Sequence, residues 1–306
     1  MQPGLPTRLS RQRGCLLGLA VGDAVGTTVE FRPRGSFVPL TDLVGGGPFD
    51  LAPGEWTDDT SMALCLATSL VECGGFDAAD QMRRYCRWRD AGYLSSNGRC
   101  FDIGNTVSAA LTRFERQGDP DAGSNDPRAA GNGCLMRLAP VPMLWWADIE
   151  AAEHHAAASS RTTHGASECI DASRLFARIL VRALRGEAKD AILRGDAGQP
   201  RFGGRLAGIA AGQYIDKPES AIRGTGHVID SLEAALWSFA STDTFRDAIL
   251  RAANLGDDAD TTAAICGQLA GAFHGEDAIP ASWLARLVMR REITELAERL
   301  ANAPHA

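Results

Sequence analysis

Two short runs of carboxylates and hydroxyls, one in the first quarter of the chain and one near its end, have the residue types and spacing to do chemistry. Thr57-Asp58-Asp59-Thr60 follows Gly54-Glu55-Trp56 and leads into Met62-Ala63-Leu64-Cys65-Leu66-Ala67. Asp258-Ala259-Asp260-Thr261-Thr262 follows Gly256-Asp257 and leads into Ala263-Ala264-Ile265-Cys266-Gly267. Each run ends a loop and opens a helix of small residues, and a helix N-terminus favours negative charge through its dipole and its unpaired N–H groups. One cap needs one side chain, so adjacent aspartates at one helix and Asp-x-Asp at the other exceed what capping requires. If the two helix starts meet, four carboxylates converge, and like charges at that range oppose joint ionisation. Divalent cations are the natural counter-charge, and an all-oxygen ligand set suits Mg²⁺, Mn²⁺ or Ca²⁺ rather than zinc.

Other polar residues stand where a ligand can be reached. Asp102, in Phe101-Asp102-Ile103-Gly104-Asn105-Thr106, precedes a helix expected to start around Thr106, whose exposed N–H groups can approach a polar group or simply be capped by a turn. Gly131-Asn132-Gly133 precedes Cys134-Leu135-Met136-Arg137 and a helix; its amides can cradle a phosphate with Arg137 nearby in sequence, although Gly-Asn-Gly alone is an ordinary turn. His164 stands at an apparent helix entry, and a lone histidine is more often structural than catalytic. His154-His155 reads as solvent-facing and His274 as structural. Glu30 sits between Val29 and Phe31, a setting of partial burial in which a carboxylate requires a partner.

Positioning these groups falls to helices. Gly14, Gly18, Gly22 and Gly26 recur at four-residue spacing and line one helix face with no side chains, open to close approach by another backbone or a ligand. Glycine costs about 1 kcal/mol per position against alanine inside a helix, so the stripe needs a packing reason and belongs in the core. Asp23, within it, either caps a break in that helix or bonds to a neighbouring backbone. Helical periodicity further covers 61–73, 78–91, 105–116, 133–146, 148–158, 166–185, 229–240, 244–254, 261–273 and 281–301. Strand signals are confined to 29–32 and 36–40, where Pro33 and Pro39 interrupt them. An all-α, compact, many-helix bundle follows. The Gly-, Pro- and Asp-rich stretches 117–133 and 195–204 read as surface loops of one domain spanning 1–306, because the two Asp motifs flank both and must converge.

Composition narrows the partners. A 306-residue chain that is 45% apolar can build a substantial core, and a formal net charge of −7 without a basic, aromatic-laced stretch argues against nucleic acid. The eight cysteines are scattered, with no Cys-x-x-Cys or zinc-type spacing, as in reduced cytoplasmic proteins. The start Met1-Gln2-Pro3-Gly4 lacks a leader pattern, and the apolar segment 15–29 is shorter than a membrane span and carries Asp23. The chain reads as soluble and cytoplasmic, with no membrane partner.

Taken in order, six blocks resemble the ADP-ribosylglycohydrolase family, typified by the dinitrogenase reductase-activating glycohydrolase and the ADP-ribosylarginine hydrolases. They are Gly18-Leu19-Ala20-Val21-Gly22-Asp23-Ala24-Val25-Gly26 with Glu30-Phe31; Thr57-Asp58-Asp59-Thr60; Asp102-Ile103-Gly104-Asn105-Thr106; Gly131-Asn132-Gly133 with Met136-Arg137; Thr163-His164; and Gly256-Asp257-Asp258-Ala259-Asp260-Thr261-Thr262. The similarity runs from about Arg13 to about Leu287. It implies an all-α fold with a binuclear metal site and two Mg²⁺ or Mn²⁺ ions held by Thr57, Asp58, Asp59, Asp258, Asp260 and Thr261. It further implies catalytic roles for Glu30, Asp58, Asp59 and Asp102, with Glu30 as an acidic gate or proton carrier. Asp102, Gly104 and Asn105 would touch the distal ribose. Gly131, Asn132, Gly133 and Met136 would line the diphosphate path, and His164 would lie towards adenosine. Two departures stand out: Asp257 occupies a place where many relatives have glycine, and His227 occupies one where some offer a tyrosine to stack on adenine.

The activity so implied is metal-dependent hydrolysis of the glycosidic bond between ADP-ribose and a protein side chain, foremost arginine, with an ADP-ribosylated protein as substrate and ADP-ribose as product. Serine-linked ADP-ribose, O-acetyl-ADP-ribose or a modified nucleobase would use the same pocket, since acceptor choice resides in loops. A non-catalytic ADP-ribose-binding protein on this fold would be expected to have lost ligands, yet every ligand position is filled.

Overall fold

Helix packing begins from the glycine stripe. In the computed structural model, which describes residues 5–194 and 202–303, the first helix runs unbroken over Arg8–Gly26, capped by Thr7, whose side chain accepts from Ser10 N. Its four glycines lie against the helix Ala259–His274, antiparallel, with Gly14 opposite Gly271, Gly18 opposite Gly267, Gly22 opposite Ala263 and Gly26 opposite Ala259. A Cβ at Gly18 or Gly22 would come within 2.2 or 2.1 Å of a backbone carbonyl oxygen, closer than any side chain can sit. The stripe is therefore a backbone-to-backbone seam. Antiparallel pairing brings the C-terminus of one helix beside the N-terminus of the other, which suits both dipoles. At the far end, buried Arg11 donates to the carbonyl oxygen of Ala272 at 3.2 Å and to that of Phe273, closing the last turn of the second helix.

With this pair included, the described residues form fifteen α-helices and four short 3₁₀ turns. There is no β-strand among them, only isolated bridges, so the all-α expectation holds and residues 29–32 are a 3₁₀ turn and its exit. One apolar cluster joins Cys15 and Leu19 of the first helix to Leu269 and to Leu300 near the C-terminus, while a smaller one gathers Met62, Tyr85, Trp88 and Leu111. No described helix is long and apolar enough to cross a membrane. All eight cysteines are free.

Three helix expectations change. The stretch 133–146 is two short helices, Gly133–Met136 and Pro140–Leu144, because Pro140 and Pro142 lack the N–H that a continuous helix needs. The stretch 281–301 divides into Ala281–Arg286 and Arg290–Asn302 around Met289 at φ +55°. That break receives the loop before the first Asp motif: Val288 N donates to Gly54 O at 3.0 Å, and the Trp56 indole donates to Val288 O at 3.2 Å. Gly54, at φ +98°, is required there because a Cβ would meet Arg286 O at 2.0 Å. Last, the helix Ile149–Thr163 ends at His164, so that histidine stands at a helix exit and not an entry. Helices Lys189–Arg194 and Gly204–Ala210 were not signalled by periodicity. Of the two loop stretches, 118–132 contains only the 3₁₀ turn Pro127–Ala129, and most of 195–204 lies outside the described residues. His155 is half-buried and stacks on Trp145 with ring centroids 3.8 Å apart, so only His154 meets the expectation of a solvent-facing pair.

Candidate active site

The seam delivers three helix ends to one place. Asp23, one turn before the end of the first helix, caps the helix Asp58–Cys73: its Oδ1 accepts from Thr57 N and Oγ1, both at 2.9 Å, and its Oδ2 accepts from Thr60 N at 3.0 Å and Oγ1 at 2.6 Å. Of the two roles open to Asp23, bonding to a neighbouring backbone is the one observed. Gly26 abuts Ala259, placing Asp258, Asp260 and Thr261 beside the same point. Cross-links tie the two Asp motifs together, with Thr261 Oγ1 donating to Asp59 Oδ1 at 3.1 Å and Thr57 Oγ1, whose one proton is shared with the shorter bond to Asp23, lying 3.4 Å from Asp260 Oδ2. Thr57, Asp58, Asp59, Asp260 and Thr261 are buried.

Two sets of carboxylates lie with an oxygen of each member within 4.8 Å of the others: Asp23, Asp59 and Asp260, and Glu30, Asp102 and Asp260. Asp59 Oδ2 and Asp260 Oδ1 are buried without a hydrogen-bond partner. Buried polar atoms are ordinarily satisfied, and ionised carboxylates this close repel one another. An acidic, all-oxygen cluster with orphaned lone pairs fits a hard divalent cation. Asp23 contributes least as a ligand, since both of its oxygens already accept two hydrogen bonds each.

Without a cation, burial and then mutual repulsion raise these groups' affinity for protons. Burial, with the charges of Asp102 and Asp258, pushes Glu30 up to about 9. Burial, with Asp23 and Asp258, pushes Asp102 up to about 8. Asp58, Asp59 and Asp260 stand well above the usual carboxylate range, burial being the first cause in each. Asp23 is lifted only to about 6, because its threonine partners favour the ionised form. These folded-state values exceed those of an unfolded chain, about 4, so the folded protein binds more protons in between and its relative stability falls as pH rises. The melting temperature of chelator-treated protein is thus expected to be highest below about pH 4, to fall steadily above it, and to level off once Asp102 and Glu30 have titrated, at about 8 and about 9. Saturating Mg²⁺ should flatten that slope, with its stabilising effect largest at high pH. Thermal denaturation across pH with and without chelator checks this, and parallel curves would rule out a cation among these carboxylates.

The cluster opens into a cavity of about 860 Å³, within the range of small-molecule sites. Its wall takes Glu30, Asp58, Asp258, Asp260 and Thr261 from the acidic side, Asp102, Gly104 and Asn105 from the helix entry at 105, and Gly131, Asn132, Gly133, Met136 and His164 from the Gly-Asn-Gly turn. Thr57 and Asp59 lie behind this wall, hydrogen-bonded to Asp260 and Thr261. The helix Asn105–Gln117 starts where the periodicity places it, with Gly104 at the N-cap position. His227 is not part of the wall. Its Nδ1 accepts from Ile229 N at 3.2 Å as the cap of helix Val228–Ala240, and its Nε2 lies 3.5 Å from Glu168.

Several neighbours depart from the sequence reading. Arg137, expected near a phosphate, is fully buried and donates to Gly133 O at 2.9 Å, Ser159 O at 3.2 Å and Thr163 Oγ1 at 2.7 Å. It braces the Gly-Asn-Gly turn from behind. Burial and the Arg137 charge push His164 down to about 3, so the imidazole is neutral, with Nδ1 2.8 Å from Thr163 Oγ1. A Cβ at Gly133 would come 2.8 Å from the His164 ring, which is why that turn is glycine. Two amides of the turn are already engaged, Gly131 N with Ala129 O at 2.9 Å and Asn132 N with Gly226 O at 3.1 Å. Arg223, Thr225 and Gly226 also line the cavity and were missed, for they lie in a loop without periodicity or motif. Among the described lining residues Arg223 is the only arginine or lysine. Phe31 and Asp257 complete the rim, at φ +61° and +56°, and Asp102 is at +55°. Three of the six described non-glycine residues in the left-handed region thus stand around this one cavity.

A family model described as ADP-ribosylglycohydrolase matches residues 5–306. The ADP-ribosylarginine hydrolase Tri1 of Pseudomonas putida is 46% identical over 292 residues, covering 95% of this chain and 78% of that protein. The ADP-ribosyl-[dinitrogen reductase] glycohydrolase of Rhodospirillum rubrum is 33% identical, covering 94% of this chain and 93% of its own length. A solved structure titled ADP-ribosylglycohydrolase-related protein complex superposes with a TM-score of 0.85 at 42% identity, over 97% of this chain and 98% of that one.

Proposed function

Because the chain belongs to the ADP-ribosylglycohydrolase family, we propose that its carboxylate-walled cavity hydrolyses the bond between ADP-ribose and an arginine side chain of a protein, releasing ADP-ribose. The observation that carries this reading is the pair of orphaned buried oxygens, Asp260 Oδ1 in the acidic wall of a cavity of about 860 Å³ and Asp59 Oδ2 just behind it. The naming of two close relatives as ADP-ribosylarginine hydrolases supports the arginine linkage.

In this reading Asp58, Asp59, Asp258 and Asp260, with the hydroxyls of Thr57 and Thr261, would hold two Mg²⁺ or Mn²⁺ ions. Bound cations would supply charge neutralisation and Lewis acidity towards the ribose hydroxyls and water. Glu30 and Asp58 both face the cavity and would take a proton from the attacking water or return one to the departing guanidine. Charge developing at the anomeric carbon is positive, so the surrounding carboxylates would stabilise it. Asp102, Gly104 and Asn105 would orient the distal ribose. Gly131, Asn132, Gly133 and Met136 would line the diphosphate, with Arg223 adding the positive charge that two engaged amides cannot. His164, held neutral, would approach the adenosine end, and His227 would act from behind that wall as a helix cap.

The test is release of free ADP-ribose from an arginine-ADP-ribosylated protein with Mg²⁺, with Mn²⁺ and with chelator. Metal-dependent release is expected, falling by about 10² to 10⁴-fold in Asp58→Ala. Undiminished release in the variant would overturn the assignment of Asp58. No release from arginine alongside release from serine-linked or acetyl-linked ADP-ribose would move the activity to another acceptor.

A further inference from the structure

Phe31 is 65% exposed and lines the cavity, the one large exposed hydrophobic residue to do so among those described. Its backbone is in the left-handed region at φ +61°. An aromatic residue gains nothing from water contact and is disfavoured at that φ, so two unfavourable features coincide at one rim position. The backbone is nonetheless fixed: Phe31 N donates to Asp257 O at 2.7 Å, and Asp257 N donates to Arg32 O at 2.8 Å. The ring is backed by others. Phe31 meets Phe49 edge-on with centroids 6.4 Å apart, and Phe49 meets Phe101 at 5.3 Å. The two ends of this aromatic row adjoin acids in sequence, Glu30 beside Phe31 and Asp102 beside Phe101, and those two carboxylates belong to one cluster with oxygens within 4.8 Å.

An aromatic face next to paired carboxylates, at the open edge of a site, is complementary to a flat organic cation. We propose that the Phe31–Phe49–Phe101 row is the acceptor platform, on which the guanidinium of the modified arginine and its alkyl stem lie while ADP-ribose occupies the cavity. This rests on the arginine linkage proposed above. The row lies outside the carboxylate set assigned to the metal, so its contribution is to acceptor affinity and not to bond cleavage.

Phe31→Leu keeps apolar volume and removes the π face, whereas Phe31→Trp keeps a larger one. For an arginine-ADP-ribosylated peptide, Phe31→Leu should raise KM by about 5- to 30-fold with kcat little changed, and Phe31→Trp should restore it. The affinity for free ADP-ribose, measured by calorimetry, should change by less than about twofold in both variants, because ADP-ribose carries no guanidinium. An unchanged KM in Phe31→Leu overturns the platform. An equal loss of affinity for free ADP-ribose also overturns it, by placing Phe31 against ADP-ribose itself. The wild-type assay is read first, so absence of arginine-linked turnover there falls on the proposed function and removes the platform with it.

Discussion

Replacing Asp260 with alanine is expected to lower ADP-ribose release by about 10³-fold or more while making the metal-free protein more stable. Asp260 is the member shared by both carboxylate sets. Its Oδ2 is reached by Thr57 Oγ1 at 3.4 Å and its Oδ1 has no partner. Removing it takes away a lone pair from each set, so cation affinity and the orientation of bound ribose are lost together. The same carboxylate is buried among Glu30, Asp59, Asp258 and Asp102, each of which disfavours its ionisation. An unsatisfied buried polar group costs about 1–3 kcal/mol, so its deletion should raise the stability of the chelated protein by about that order. Steady-state release and thermal denaturation, each with and without Mg²⁺, provide the check. Near-normal activity in Asp260→Ala would sink the metal assignment, and a lower melting temperature without metal would show that the carboxylate is satisfied when the site is empty.

Gly22→Val should cost about 3 kcal/mol or more, at the upper end of overpacking effects, because its Cβ would start 2.1 Å from Ala263 O and 2.5 Å from Ala263 C. Those atoms are helix backbone and cannot rotate aside. The helices would have to separate just where Asp23, Asp58 and Asp260 meet, so site geometry should be lost with stability. Gly22→Ala meets the same obstruction with less bulk, and keeps the comparison readable if the valine protein fails to fold. Both should show a lower melting temperature and a smaller increment from Mg²⁺ than wild type. A Gly22→Ala protein of unaltered stability would mean that the seam is looser than the contact distances require.

These two positions also mark how far the sequence could be read. The Asp58-Asp59 and Asp258-x-Asp260 runs were legible because they place more carboxylates at a helix start than a cap can use. The four-residue glycine period announced a close approach, but not its partner, although Ala259, Ala263, Gly267 and Gly271 repeat the same period on the facing helix. Asp23 was ambiguous because its bonds to Thr57 and Thr60 span the whole first loop and leave no local trace. Arg137 was misplaced because adjacency to a glycine turn says nothing about which side of it a side chain takes. Arg223 carried no signal, since loop residues gain meaning only from what the fold sets opposite them. The helix breaks at 137–139 and 287–289 differ in the same way: Pro140 writes the first into the chain, while the second depends on the docking of Gly54 and Trp56.

Since the Gly14–Gly26 seam joins main chain to main chain, it contains no rotatable side-chain bond. A joint without torsions has little compliance, and displacement of either helix is transmitted along it in full. The rim that bears Phe31, Asp257 and Arg223 hangs instead on loops. Hearth and rim thus have different origins: the spacing of the carboxylates is set by the seam, while the rim is set by loops that can diversify around it.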